Sequence, residues 1–175
     1  DGLSSVTVNG IGIDADGYVW VASEKGVSVS TAPTSALYAG QPFRFITGDS
    51  KTSLPRERVL SGPLIVEGEP GVWVAMPEAI QKLRRNADGT LGVERLSLSG
   101  AEVAGIAVVG RSLWLFEEGV ISRLGIDATS IRARKRESVP CPSPRSYIEF
   151  QGHRYLGCER SGLWAQAFGS SEWKH

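Results

Sequence analysis

Four carboxylates recur at one place in this 175-residue chain. Glu24, Glu78, Glu118 and Glu159 each stand four or five residues beyond an aromatic residue, respectively Trp20, Trp73, Trp114 and Tyr155. Carboxylates brought to one rim would attract a cation or a basic group. Arg56, Arg58 and Arg145 fall in the segments that lead from one such repeat into the next. Their planar guanidinium forks suit bidentate capture of carboxylate or sulfate, as offered by an anionic saccharide or a peptide terminus. These seven residues form the candidate ligand-binding set. Polar side chains also suit exposed turns that bind nothing, so the pattern nominates positions and names no ligand.

Catalytic and metal chemistry find less to work with. The chain has two histidines, His153 and His175. A lyase would pair His153 with Glu118 or Glu159, but His153 follows a hairpin glycine, which places it at the far end of its sheet from the candidate ligand-binding turns. A G-x-S-x-G nucleophile motif is absent from the sequence. Asp14-Ala15-Asp16-Gly17 begins like a calcium loop, yet Lys25 stands where the bidentate glutamate belongs, so the run reads as a hairpin turn. The expectation is therefore a protein without catalytic residues, metal or cofactor.

Composition narrows the partners. Nineteen basic residues against nineteen acidic ones give a net charge of zero, which supplies no field for a polyphosphate and speaks against nucleic acid. No apolar run approaches the roughly 18 residues of a membrane span, so no membrane insertion is expected. The chain opens on Asp1 with no leader pattern, as a mature chain or an excised piece would.

These residues must be held by short strands. Twenty-one Gly, nine Pro and a single Met, with many short Val/Ile/Leu runs, predict an all-β chain rich in tight turns. The four aromatics are separated by 53, 41 and 41 residues. Each lies in the second strand of a hairpin: 11–14 with 18–23, 64–67 with 72–75, 106–109 with 112–116, and 147–150 with 153–158. Asp16-Gly17, Pro70-Gly71, Gly110-Arg111 and Gln151-Gly152 supply the turns. A third strand follows at 26–27, 79–80, 119–120 and 162–163, and a weaker fourth at 43–46, 93–96, 131–133 and 172–175. Four strands in about 40 to 45 residues is the period of a β-propeller blade. The expected blades are 1–53, 54–99, 100–139 and 140–175, with the strand-two aromatic filling the gap between neighbours.

The opening Asp1-Gly2-Leu3-Ser4-Ser5, then Val8, Ile11, Asp14-x-Asp16-Gly17-x-Val19-Trp20-Val21 and Gly26-Val27, resembles the two-component regulator propeller repeat. A second copy is similar, in 54–59 and 69–75, while the third and fourth keep Trp114 and Gly162-Leu163 and put Tyr155 in place of tryptophan. The resemblance implies a sensor or interaction module of a bacterial signalling protein, periplasmic or extracellular, with a small molecule, saccharide or peptide as ligand. A docking scaffold in a larger assembly is the alternative. Four blades either close into a small ring or leave two open sheet faces, to be covered by further blades of the parent chain, the preferred reading, or by a second copy.

Cys141 and Cys158 are too few for a disulfide framework, and a single bridge and two free thiols both remain open. Arg132-Ala133-Arg134-Lys135-Arg136 reads as an outer strand guarded by charge, or as a contact for an anionic partner.

Overall fold

A computed structural model describes residues 2–40, 42, 44–48, 52–66, 71–97, 103–126 and 131–175. Contacts divide the chain into two compact units, Asp1–Ser97 and Leu98–His175. Each holds two antiparallel meanders.

In the first unit, β1 (Val8–Ile13), β2 (Val19–Ser23), β3 (Gly26–Ser30) and β4 (Phe45–Thr47) form one sheet in chain order. A second sheet comprises β5 (Ser61–Leu64), β6 (Val72–Met76), β7 (Ala79–Arg85) and β8 (Leu91–Ser97). Asp14 organises the first hairpin. Its Oδ1 accepts the backbone N–H groups of Asp16 at 3.1 Å and Tyr18 at 2.8 Å, and its Oδ2 accepts Trp20 Nε1–H at 2.7 Å. Gly17 takes the φ of +83° that closes the turn. The Asp14–Gly17 run is thus a hairpin turn, as its sequence predicts.

The two sheets meet through Trp20, Val27 and Val29 on one side and Val72, Val74 and Leu83 on the other, with Leu54 and Val59 of the connector closing the cluster. The two sheets also come close at β1 and β5, where a Cβ on Gly12 would lie 2.9 Å from the Pro63 carbonyl oxygen, so glycine is required.

The second unit repeats the plan with β9 (Gly105–Val109), β10 (Ser112–Glu117), β11 (Val120–Ile126) and β12 (Ile131–Ser138), followed by the three-stranded sheet β13 (Pro144–Phe150), β14 (His153–Cys158) and β15 (Gly162–Ala167). Its core contains Trp114, Phe116, Ile121, Cys141, Tyr147 and Leu156, and the Trp114 and Tyr147 rings stack at 4.5 Å. Cys141 and Cys158 are joined in a disulfide.

Four departures from the sequence reading have physical causes. The 53-residue interval between Trp20 and Trp73 accommodates a five-residue helix, α1 (Thr34–Tyr38), which no long amphipathic pattern announced. β5 ends at Leu64 instead of starting there. Pro63 sits inside it, at the register shift between Ser61 and Leu64 where no ladder N–H is needed. Tyr155 pairs with Ile148 on the sheet face away from the third sheet, leaving Tyr147 to stack on Trp114. The predicted strand at 172–175 is a single bridge, Ala165 to Lys174. The calls on Phe43, Glu67 and Pro70 lie outside the described residues.

Candidate functional site

The strand-two-to-three turns hold the four carboxylates as the spacing predicts. Glu24 lies between β2 and β3, Glu78 between β6 and β7, Glu118 between β10 and β11, and Glu159 between β14 and β15, all exposed.

In the first unit the β4–β5 connector folds onto the β2–β3 turn. Val27 N–H donates to Pro55 O at 3.1 Å and Val59 N–H to Ser23 O at 3.1 Å, while Asn9 Nδ2 donates to Val59 O at 2.6 Å. Gly26, at φ +109°, lies where a Cβ would come within 2.8 Å of Arg56 Cα. Arg56 and Arg58 therefore sit on a short arc pinned at Pro55 and Val59, beside Glu24. Both arginines are exposed. Glu24 and Glu78 make no side-chain hydrogen bond or ion pair among the described residues.

In the second unit one expectation is corrected. Arg145 is a strand residue of β13 and not a loop residue. Its Nη2 and Nε donate to Glu159 Oε2 at 2.6 and 3.3 Å, and its Nη1 donates to Ala104 O at 3.2 Å. Two members of the candidate set thus satisfy each other. Hydrogen bonding and charge from Arg145 hold the Glu159 carboxyl below the usual glutamate range. Glu118 makes no such contact among the described residues.

His153 opens β14 and Glu159 follows its end, so the six-residue strand keeps them on the order of 20 Å apart. Its Nδ1 meets Gln151 O at 3.1 Å. The acid–base pair that a lyase would need is not assembled from His153 and Glu159.

Two clefts lie at the opposite strand ends. One, of about 570 Å³ in the first unit, is lined by Asp16, Tyr18, Arg85 and the 86–89 turn, with the Arg85 guanidinium 4.5 Å over the Tyr18 ring. The other, of about 290 Å³, lies between the third and fourth sheets. Its wall carries a network that no spacing rule reveals. Arg154 donates to both Glu137 oxygens at 2.8 and 3.0 Å and also to Gln166 Oε1, and stands 5.4 Å over the Trp173 ring. Burial alone would lower the Arg154 pKa, but the Glu137 carboxylate more than offsets this and raises it. Tyr147 O–H donates to Glu149 Oε1 at 2.7 Å, and burial together with that carboxylate pushes the phenol above its ordinary range.

Meandering four-stranded sheets with buried strand-two tryptophans define the class: the chain is an all-β protein of the β-propeller fold. No protein-family model and no curated protein matches it. Among solved structures it is similar to the dihydro-heme d1 dehydrogenase NirN in complex with DHE, at 13% identity and a TM-score of 0.62 over 97% of this chain. The chain spans 36% of the length of that structure, and the likeness is one of fold.

Proposed function

We propose that the chain is the ligand-binding part of a bacterial sensor protein, acting outside the cytoplasm and without chemistry of its own. The observation that carries this reading is the pinned arc of the first unit. Arg56 and Arg58 are displayed on a segment that is hydrogen-bonded to the first sheet at Pro55 and Val59 and then runs directly into β5 of the second. A ligand held there pulls on the link between two sheets, which is how binding would become a change of packing. Glu24 and Glu78 add carboxylates without a partner among the described residues, so the surface suits a small molecule, saccharide or peptide bearing both charges. The Cys141–Cys158 disulfide supports an oxidising compartment, and the repeat resemblance supports the signalling role.

The test is a pair of double variants, Arg56→Gln with Arg58→Gln and Glu24→Gln with Glu78→Gln, melted with and without sugar acids, amino acids and short peptides. Unliganded melting temperatures should match the parent while the ligand-dependent rise disappears. A full rise in both variants would eliminate this surface.

A docking scaffold is the second reading, favoured by the outer face of the fourth sheet. Ile148, Phe150 and Leu163 are 58%, 58% and 59% exposed on it, a patch suited to a further blade of a parent chain.

A further inference from the structure

The cleft between the third and fourth sheets holds three cations, Arg123, Lys135 and Arg154, against two carboxylates, Glu137 and Glu149. The carboxylates are already engaged: Glu137 accepts two bonds from Arg154, and Glu149 accepts the Tyr147 hydroxyl. Arg123 and Lys135 are left over. They are direct partners across the β11–β12 ladder, so both project from the same face toward the cleft, with neither contacting a carboxylate among the described residues. Like charges placed directly opposite each other on a sheet repel and destabilise it. An anion seated between them removes that penalty.

The geometry of Arg123 shows which donors remain. Its Nε and Nη2 both donate to the Ser112 hydroxyl, at 3.1 and 2.9 Å. This uses one edge of the guanidinium and fixes its plane. The parallel pair of N–H groups across the Nη1–Nη2 end is left for a ligand, and that pair matches the two oxygens of a carboxylate. Beside it, Trp114 and Phe168 contribute ring surface to the lining. Phe168 is 54% exposed, an apolar side chain with room for a partner.

We propose that this cleft binds a small organic monocarboxylate. The carboxylate bridges the Arg123 fork and the Lys135 ammonium, and an apolar or planar body lies against Phe168 and Trp114. A volume of about 290 Å³ sits at the lower end of small-molecule sites, roughly 300 to 1,000 Å³, which restricts the ligand to a compact acid. Glu137 and Glu149 set the charge preference, because the one excess positive charge neutralises a monoanion and leaves the second charge of sulfate uncompensated beside two carboxylates. The site lies at the strand ends opposite the turns carrying Glu118 and Glu159 and uses none of the residues of the first-unit arc, so it stands or falls independently of that surface.

Isothermal titration of the intact chain with benzoate, benzamide and sodium sulfate tests the proposal. Benzoate should bind, more weakly as sodium chloride is raised, while the neutral isostere benzamide and the dianion sulfate bind at least tenfold more weakly. Lys135→Gln alters an exposed side chain with no hydrogen bond or ion pair among the described residues, and should lower benzoate affinity about tenfold, the equivalent of about 1.4 kcal/mol. Arg123→Gln should do the same or more, and Arg56→Gln should change nothing. Equal binding of benzamide, equal binding of sulfate, or an unaltered benzoate affinity in Lys135→Gln overturns the assignment. So does the absence of any heat at roughly 10 mM benzoate, where even a millimolar site would be nearly filled.

Discussion

Trp20 and Trp73 occupy the same strand position in consecutive sheets, yet the structure predicts unequal costs for one substitution. Both are buried, at 0% and 3% exposure. Trp20 Nε1–H donates to the buried Asp14 carboxylate at 2.7 Å, whereas Trp73 Nε1 has no acceptor among the described residues. Replacing either ring by phenylalanine sacrifices a similar amount of packing. Trp20→Phe also breaks a hydrogen bond to a charged acceptor, worth about 1.5 to 3 kcal/mol. Trp73→Phe instead removes a donor that is already desolvated and unpaired, which offsets part of the packing loss. Lys82 stands 5.6 Å over the Trp73 ring, and phenylalanine retains a weaker version of that contact. Trp20→Phe should therefore be the more costly by at least about 2 kcal/mol. Both sites lie in the Asp1–Ser97 unit, so urea unfolding followed by far-UV circular dichroism compares them on one transition, with slopes unchanged. Equal costs, or a greater cost for Trp73→Phe, would refute the reasoning. Truncation to alanine tests packing alone, and Trp73→Ala should cost about 3 to 5 kcal/mol.

Three further expectations concern the second unit. Cys141→Ser should lower its stability by about 3 kcal/mol, the chain-entropy value for a loop of this size, given a sequence separation of 17; thermal melting with and without reductant would show the loss, and a variant as stable as the oxidised parent would contradict it. Arg145→Ala should let the Glu159 pKa rise back toward the ordinary glutamate range. The folded value is depressed, so the pair's contribution is present above that range and fades as pH falls through the lowered value. Carboxyl NMR titration would expose an error as an unchanged Glu159 curve. Finally, light scattering should find concentration-dependent association of the chain through the exposed face of Ile148, Phe150 and Leu163, relieved by Ile148→Lys with Leu163→Lys; a strict monomer at all concentrations would contradict that.

The blade plan was legible because its signals are local. Gly17, Gly26 and Gly162 mark positive-φ turns, and the tryptophan spacing marks the strand that a neighbour buries. The turn carboxylates were equally visible, since an exposed turn of two or three residues displays whatever side chain it carries. Pro63 lies inside β5, and only the irregular register between Ser61 and Leu64 shows why it is tolerated there. Arg145 was placed in a loop for want of any marker of where β13 begins. The cleft was not legible at all. Arg123, Lys135, Glu137 and Arg154 belong to three different strands, and cross-strand register rather than sequence spacing brings them to one wall.

The central claim, that this propeller chain binds small molecules as a sensor, is tested most directly by thermal melting against a panel of sugar acids, amino acids and short peptides. A ligand at a hundredfold excess over its dissociation constant should stabilise the chain by about 2.7 kcal/mol, saturating with concentration. Melting that ignores every small molecule and rises only with a protein partner would contradict the sensor and favour the scaffold.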